Sequence, residues 1–342
     1  MVEVSPASAE AAWTAFVDRH PDATGYHQWG WRRVFERAFG HECVYLSAAD
    51  RGAVVGVLPM VIFKSPIFGR FAVSLPFVNY GGVVADSDDI AGRLLEAGAH
   101  EASTRRLKHL ELRHLAPRYP GILPAKQHKV AMTLPLPPDP ETLWNALDRK
   151  VRNQVRKAEK SNLTAVHGGL ELVPEFYAVF ARNMRDLGTP VYAQRFFATI
   201  LEEFRSTAEI VVVRLDATPI AASLTFRWRG VTEVPWASSL REHRALCPNM
   251  LLYWTMLKRT IENGSATFDF GRSTPNESTF HFKTQWGASP TPFHWEYWLA
   301  SGGALPDQSP SNPKFQAAIE VWKRLPVPVT TLLGPHIVRS IP

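Results

Sequence analysis

Cysteine is nearly absent: Cys43 and Cys247 are the only two in 342 residues, far apart and outside any ligand spacing. That excludes a disulfide framework and suits a reducing compartment. No apolar run reaches the ~18 residues that a membrane-spanning helix needs. The opening MVEVSPASAEAAW has neither the basic start nor the apolar core of a signal peptide. The expected location is therefore cytoplasmic, with the inner face of the membrane as an alternative. There is no P-loop, GxSxG elbow, HExxH or GxGxxG fingerprint, which excludes the commonest nucleotide-hydrolysing, serine-hydrolase, zinc-protease and nicotinamide chemistries. The 12 histidines show no metal-ligand spacing, so no metal is expected. Acidic residues are the scarcer charge, 32 against 38 Lys and Arg, and the net +6 favours phosphates, nucleotide-linked sugars, nucleic acid or an acidic membrane face.

Aromatic residues, by contrast, are plentiful: 19 Phe and 11 Trp within a hydrophobic fraction of 45% supply more than one core. A chain of this length reads as two domains. A repeat supports that division. "CVYLSAADRGAVVGVLPMVIF" reads strand–turn–strand about Asp50–Arg51–Gly52, and "EIVVVRLDATPIAASLTFRW" does the same about Asp216–Ala217–Thr218–Pro219. Each hairpin leads to an extended segment, "FAVSLPFVNYGGV" or "VTEVPWASS". A helix follows, roughly Asp88–Arg106 or Pro248–Asn263, and then a short strand with an acid between apolar residues, "HLELR" (109–113) or "TFDFG" (267–271). A last strand closes each half, "KVAMTLPL" (129–136) and "FHWEYWL" (293–299). The order implies two similar α/β (α+β) domains, each a mixed sheet flanked by helices.

Between the halves, Trp144, Leu147, Val151, Val155 and Ala158 share one face of a helix, opposite Arg149, Arg152, Arg156 and Lys160. The expected organisation is domain 1 over 1–140, a basic inter-domain helix over 141–163 and domain 2 over 164–304. A loop is expected at "SGGALPDQSPSNP" (301–313), then a helix over 314–325 and a proline-interrupted apolar tail. The segment 305–342 is expected to pack back on domain 1, with the tail as a candidate for peripheral membrane contact.

The order and spacing of "LPFVNYGG" (75–82), "KVRNQVRKAEKSNL" (150–163), "FDFGRS" (268–273), "FHFKTQWGA" (280–288) and "WKRLP…GP" (322–335) carry a resemblance over nearly the whole chain. The sequence resembles the FemAB-type transferases, and more narrowly those associated with exosortase/PEP-CTERM exopolysaccharide loci. The resemblance implies two tandem GNAT-like domains. It also implies transfer of an acyl or aminoacyl group to an amine of a peptidoglycan or exopolysaccharide precursor, with aminoacyl-tRNA as donor in the peptidoglycan members. Acetyl-CoA is the alternative donor, and a non-catalytic binding module for a phosphorylated glycan carrier is the rival reading. Coenzyme A finds little support in the residues. "SSLREHRALCPNML", ahead of the second-half helix, has no glycine to expose backbone N–H groups to a pyrophosphate, and Gly81–Gly82 leads into the acidic "VVADSDDI". No bound cofactor is expected, and DNA is not among the expected partners.

Aminolysis of an ester needs a deprotonated amine, a stabilised oxyanion and two substrates held together. The resemblance makes Phe282–Lys283 the family's Phe–Lys pair, with Lys283 stabilising charge at the transferring carbonyl. Asp269 is a candidate general base, or a carboxylate that orients the amine, or a structural partner of Arg272. Arg272, Phe282 and Trp286 are substrate-binding candidates. So are Asn79, Tyr80, Trp236 and Ser238 at corresponding strand ends, together with Tyr192 and Asn249. Phosphate contacts are assigned to Arg149, Arg152, Arg156, Lys157 and Lys160, with Lys64, Arg182 and Arg185 as weaker candidates.

Overall fold

In the computed structural model, residues 2–66, 68–306 and 313–341 are described, so part of the loop expected at 301–313 lies outside the described residues. The first elements in chain order are β1 (Glu3–Pro6), α1 (Glu10–Arg19), α2 (Gly30–Phe39), β2 (Glu42–Asp50), β3 (Ala53–Ser65), β4 (Gly69–Val73), β5 (Val84–Ala85), α3 (Asp88–Thr104), β6 (His109–His114), β7 (Ala125–Lys126) and β8 (Val130–Pro135). Then come α4 (Pro140–Ala146), α5 (Arg149–Lys160), β9 (Leu163–Gly168), α6 (Val173–Leu187), α7 (Gln194–Glu203), β10 (Ala208–Leu215), β11 (Thr218–Trp228) and β12 (Val231–Ser239). Last are α8 (Pro248–Glu262), β13 (Thr267–Ser273), α9 (Ser278–Thr284), β14 (Ser289–Pro292), β15 (His294–Leu299), α10 (Pro313–Arg324) and α11 (Val327–Val338).

Two compact units result: Met1–His128 with Pro292–Asp307 and Arg339–Pro342, and Lys129–Thr291 with Gln308–Val338. The first sheet runs β1-β2-β3-β4-β6-β15-β7, with β5 beside β3; the second runs β9-β10-β11-β12-β13-β8-β14. Matched strand for strand, the two orders are the same. In each, a tight hairpin opens the sheet: Arg51 (φ 49°) and Gly52 (φ 83°) turn the first in left-handed conformations, as two-residue hairpin loops require. In each, one parallel pair follows, β4 with β6 and β12 with β13.

The expected last strands are present but exchanged. β8 lies in the second sheet, antiparallel to β13, and β15 lies in the first, antiparallel to β6. Pattern reading assigned each strand to its own half, because an alternating strand carries no mark of which sheet edge it joins.

The segment expected as one basic inter-domain helix is two helices, both belonging to the second unit. Asp139 caps α4, and the Asp148 carboxylate accepts the Lys150 N–H to start α5. Leu143, Leu147, Val151, Val155 and Ala158 enter the core formed with α8, Phe268 and Phe270. Helices α6 and α7 cover the opposite face of that sheet. The C-terminal segment also departs from expectation. The apolar tail contains α11, which packs on α6, and only 339–342 of its final residues fall with the first unit. Gly334 permits this docking: a Cβ there would lie 2.8 Å from the Val191 nitrogen and 2.9 Å from its oxygen.

Candidate active site

The second unit's parallel pair is short. β12 and β13 match Val231 with Thr267, Thr232 with Phe268 and Glu233 with Asp269, after which β12 continues beside β11 alone. The sheet therefore forks just beyond Glu233 and Asp269, both buried. A bulge causes part of this. Between Asp269 and Arg272, β13 carries one residue more than β8, and Gly271 takes a left-handed φ of 74°. A side chain at that φ would be strained, which accounts for glycine here.

The bulge turns backbone polar groups toward α9. The Asp269 carboxylate accepts the Gly271 N–H at 2.7 Å, while the Lys283 ammonium donates to the carbonyls of Gly271 at 3.0 Å and Arg272 at 2.8 Å. Asp269 and Lys283 thus grip the same residue from its two ends. Lys283 is only 7% exposed, and it stands on α9. Burial lowers its pKa from 10.5 to about 8, against the Asp269 charge, which raises it; Arg272 lowers it further. The lysine therefore remains largely cationic at neutral pH. Two of its three protons face carbonyls, which leaves one for a third oxygen.

Phe268 and Phe270 point into the core beneath α8, so Asp269 points to the α6–α7 face. Register pairing puts Glu233 on that same face. Glu233 escaped the sequence reading, although "VTEVP" carries the signal that singled out Asp269, a lone acid inside an apolar strand. Trp236 and Ser238 lie farther along β12 on this side. Trp236 meets Phe196 at 5.3 Å and Phe197 at 5.4 Å edge-on, with Tyr192 at 6.4 Å, and Ser238 accepts the Asn183 side-chain N–H at 3.0 Å. Arg272 is exposed at the strand end.

Other assigned residues lie elsewhere. Trp286 is 1% exposed within the α8-side core, and the partly buried Phe282 packs edge-on against Tyr253 at 4.9 Å. Asn249 stands in the first turn of α8, whose N-cap residue, Cys247, makes no side-chain capping hydrogen bond to the helix. On α5, Arg149, Arg156, Lys157 and Lys160 are exposed, Arg152 is half-buried, and the Arg156 guanidinium lies 5.4 Å from the Trp144 ring centre. The weaker phosphate candidates are already engaged: Lys64 with Glu42, Arg182 with Glu242, and Arg185 with Asp186 and the Leu325 carbonyl. Asn79 and Tyr80 belong to the first unit and are buried.

In the first unit, Tyr80, Gly81 and Gly82 line a cavity of about 390 Å³ with Thr24, His27 and His114. Gly82 is glycine because a Cβ would lie 2.0 Å from the His114 ring. His114 Nδ1 donates to Glu296 at 2.7 Å and its Nε2 accepts the Val83 N–H at 2.9 Å, so the pair fixes this loop. Burial lowers the pKa of His114, and that of His27 to about 4, keeping both neutral. Glu111, the counterpart of Asp269, is gripped by Arg113 at 2.6 Å and Tyr297 at 2.9 Å. The duplicated carboxylate is thus neutralised in the first unit, whereas in the second it faces a lysine of lowered pKa.

Residues 147–284 match the GNAT acetyltransferase domain family. No curated protein matches the chain in sequence. Among solved structures, FemX is similar with a TM-score of 0.67 and 15% identity, over 93% of this chain and 100% of that one. The C-terminal domain of a putative lysylphosphatidylglycerol synthetase from Agrobacterium fabrum is similar with a TM-score of 0.57 and 13% identity, over 86% and 92%. A tandem GNAT protein from the clavulanic acid biosynthesis pathway gives 0.55 and 14%, over 90% and 100%. At such identities these structures attest the fold, and the domain match attests the class. The chain is an acyltransferase built from two GNAT-like units, with its GNAT acetyltransferase domain in the second.

Proposed function

We propose that the protein acylates an amine of a cell-envelope or exopolysaccharide precursor, in the manner implied by its FemAB-type resemblance, with aminoacyl-tRNA as donor. The observation that carries this reading is the Lys283 ammonium, buried beside the Asp269 bulge and held by two carbonyls at the fork of the sheet. In the proposed reaction the amine nitrogen attacks the donor's ester carbonyl. The remaining Lys283 proton meets the developing oxyanion, and collapse expels the ribose oxygen, which takes up a proton. Asp269 orients the incoming ammonium or accepts its proton. The exposed cations of α5 supply contacts for donor phosphates.

A second reading, with acetyl-coenzyme A as donor, has one observation in its favour, the acetyltransferase domain match. Against it, the first turn of α8 begins at Cys247 and Pro248, and no glycine occurs between Ser239 and Asn263. A transfer assay separates the two. The protein is incubated with a nucleotide-linked muramyl peptide or amino sugar and either labelled aminoacyl-tRNA or labelled acetyl-coenzyme A, and label on the acceptor is followed by mass. Transfer from tRNA, lost in Lys283→Met, is the expected result. Transfer from acetyl-coenzyme A alone would replace the donor, and retention of activity by the variant would remove Lys283 from the mechanism.

A further inference from the structure

Helix α11 has two opposed stripes. Thr330, Gly334 and Val338, spaced by one helical turn, are buried where the helix packs on α6. On the far side, Val329, Leu332, Leu333 and His336 recur at the spacing of a single helix face. Leu332 is 70% exposed and Leu333 is 44% exposed. Val321, at the end of α10, is 61% exposed, and Pro326 and Pro328 between the helices are exposed too.

Along the chain from Val321 onward the charges are of one sign. From Val321 to the last residue there is no Asp or Glu, while Lys323, Arg324 and Arg339 are cationic. Lys323 pairs with Glu320 at 2.6 Å, and Arg324 is exposed at the head of the stripe. Apolar residues on a short helix, with cations just before and just after it along the chain, fit the headgroup layer of an anionic bilayer, where leucines enter the acyl boundary and arginines meet phosphates. A second copy of the chain fits less well, since a two-fold contact would bring the same cations together.

We infer that the exposed stripe of α11, with Arg324, is a monotopic contact with an anionic lipid surface. The helix lies in the interface and does not cross it: no described helix is long and apolar enough to span a membrane. This inference stands apart from the identity of donor and acceptor. It adds a surface, one helix removed from Asn183 and Ser238 at the fork, that would hold the second unit where lipid-linked molecules reside.

The test uses the full chain and sedimentation with vesicles of phosphatidylethanolamine and phosphatidylglycerol, or of phosphatidylcholine alone. Wild type is expected to pellet with the anionic vesicles and to be released by salt. Leu332→Ser/Leu333→Ser, which alters only exposed side chains, is expected to bind about tenfold or more weakly. Arg324→Gln should lose the preference for anionic lipid while keeping the melting temperature of wild type. Absence of binding to either vesicle, or equal binding by the leucine variant, overturns the inference. A concentration-dependent dimer that the leucine variant abolishes would overturn it in favour of self-association.

Discussion

Replacing Lys283 with methionine separates the catalytic reading from the structural one, because the two make opposite demands as pH rises. The folded protein holds this lysine at a pKa of about 8 instead of 10.5, chiefly through burial. Below about pH 8 the lysine is protonated in both folded and unfolded chains, and stability does not depend on its titration. Between about pH 8 and 10.5 the folded protein gives up the proton first, so the unfolded chain binds more protons and stability rises with pH. At about 1.4 kcal/mol for each pH unit, the full rise is about 3 kcal/mol. Lys283→Met lacks it. The difference in unfolding free energy between wild type and variant, from urea melts across this range, should therefore grow by about that amount in favour of wild type. Acyl transfer should move the other way. If the ammonium supports the oxyanion, wild-type kcat/KM gains a falling limb near pH 8, and the variant loses about 10²–10³-fold at neutral pH. A stability difference that stays flat would mean that Lys283 is not a buried cation. A variant with wild-type turnover would reduce the lysine to a brace for the bulge.

Asp269→Asn keeps an acceptor for the Gly271 N–H but removes the charge that raises the Lys283 pKa, so the falling limb should move below pH 8 and kcat should drop about 10²–10⁴-fold; an unmoved limb would count against their coupling. Gly334→Ala sets a Cβ 2.8–2.9 Å from Val191 backbone atoms, which cannot swing aside as a side chain would. Overpacking of about 1–3 kcal/mol should outweigh the ~1 kcal/mol gained in helix propensity, and a melting temperature at or above wild type would show that α11 is not held this way. Charge reversal at Arg149, Lys157 and Lys160 together should weaken tRNA binding and flatten its log–log salt dependence by about 2–3, and unchanged binding would take α5 out of donor recognition.

Much of this architecture was legible in the residues. The two hairpins declared themselves through alternation and turn chemistry, α8 through the spacing of Met250, Leu251, Leu257 and Ile261, and the forked strand through an acid set between phenylalanines. Lys283 is a different case. Only the resemblance singled it out, since nothing in "FHFKTQ" says that the lysine is buried or that it turns toward two carbonyls twelve and eleven positions back. Trp286 and Phe282 look like binding aromatics in one dimension and pack on the core in three, Phe282 from α9 and Trp286 from the turn that follows it, both against Tyr253. Helix α11 was hidden by its prolines. Pro328 falls in the first turn, where a missing N–H does no harm, and Pro335 falls near the end. The strand exchange was out of reach, since it depends on which open edge a strand meets.

That exchange has a consequence for the order in which the protein can be made. On the ribosome, β6 emerges with its edge unpaired and with Glu111, Arg113 and His114 awaiting Tyr297, Trp295 and Glu296 from β15. The last pair is separated by 182 residues, which at about 5–20 residues per second is a delay of roughly 10–40 s. Throughout that interval the nascent first unit exposes a sheet edge and three buried-type ionisable groups that lack their β15 partners. Its completion is therefore tied to synthesis of nearly the whole second unit, and a ribosome that stalls between the two leaves a substrate for chaperones rather than a finished domain.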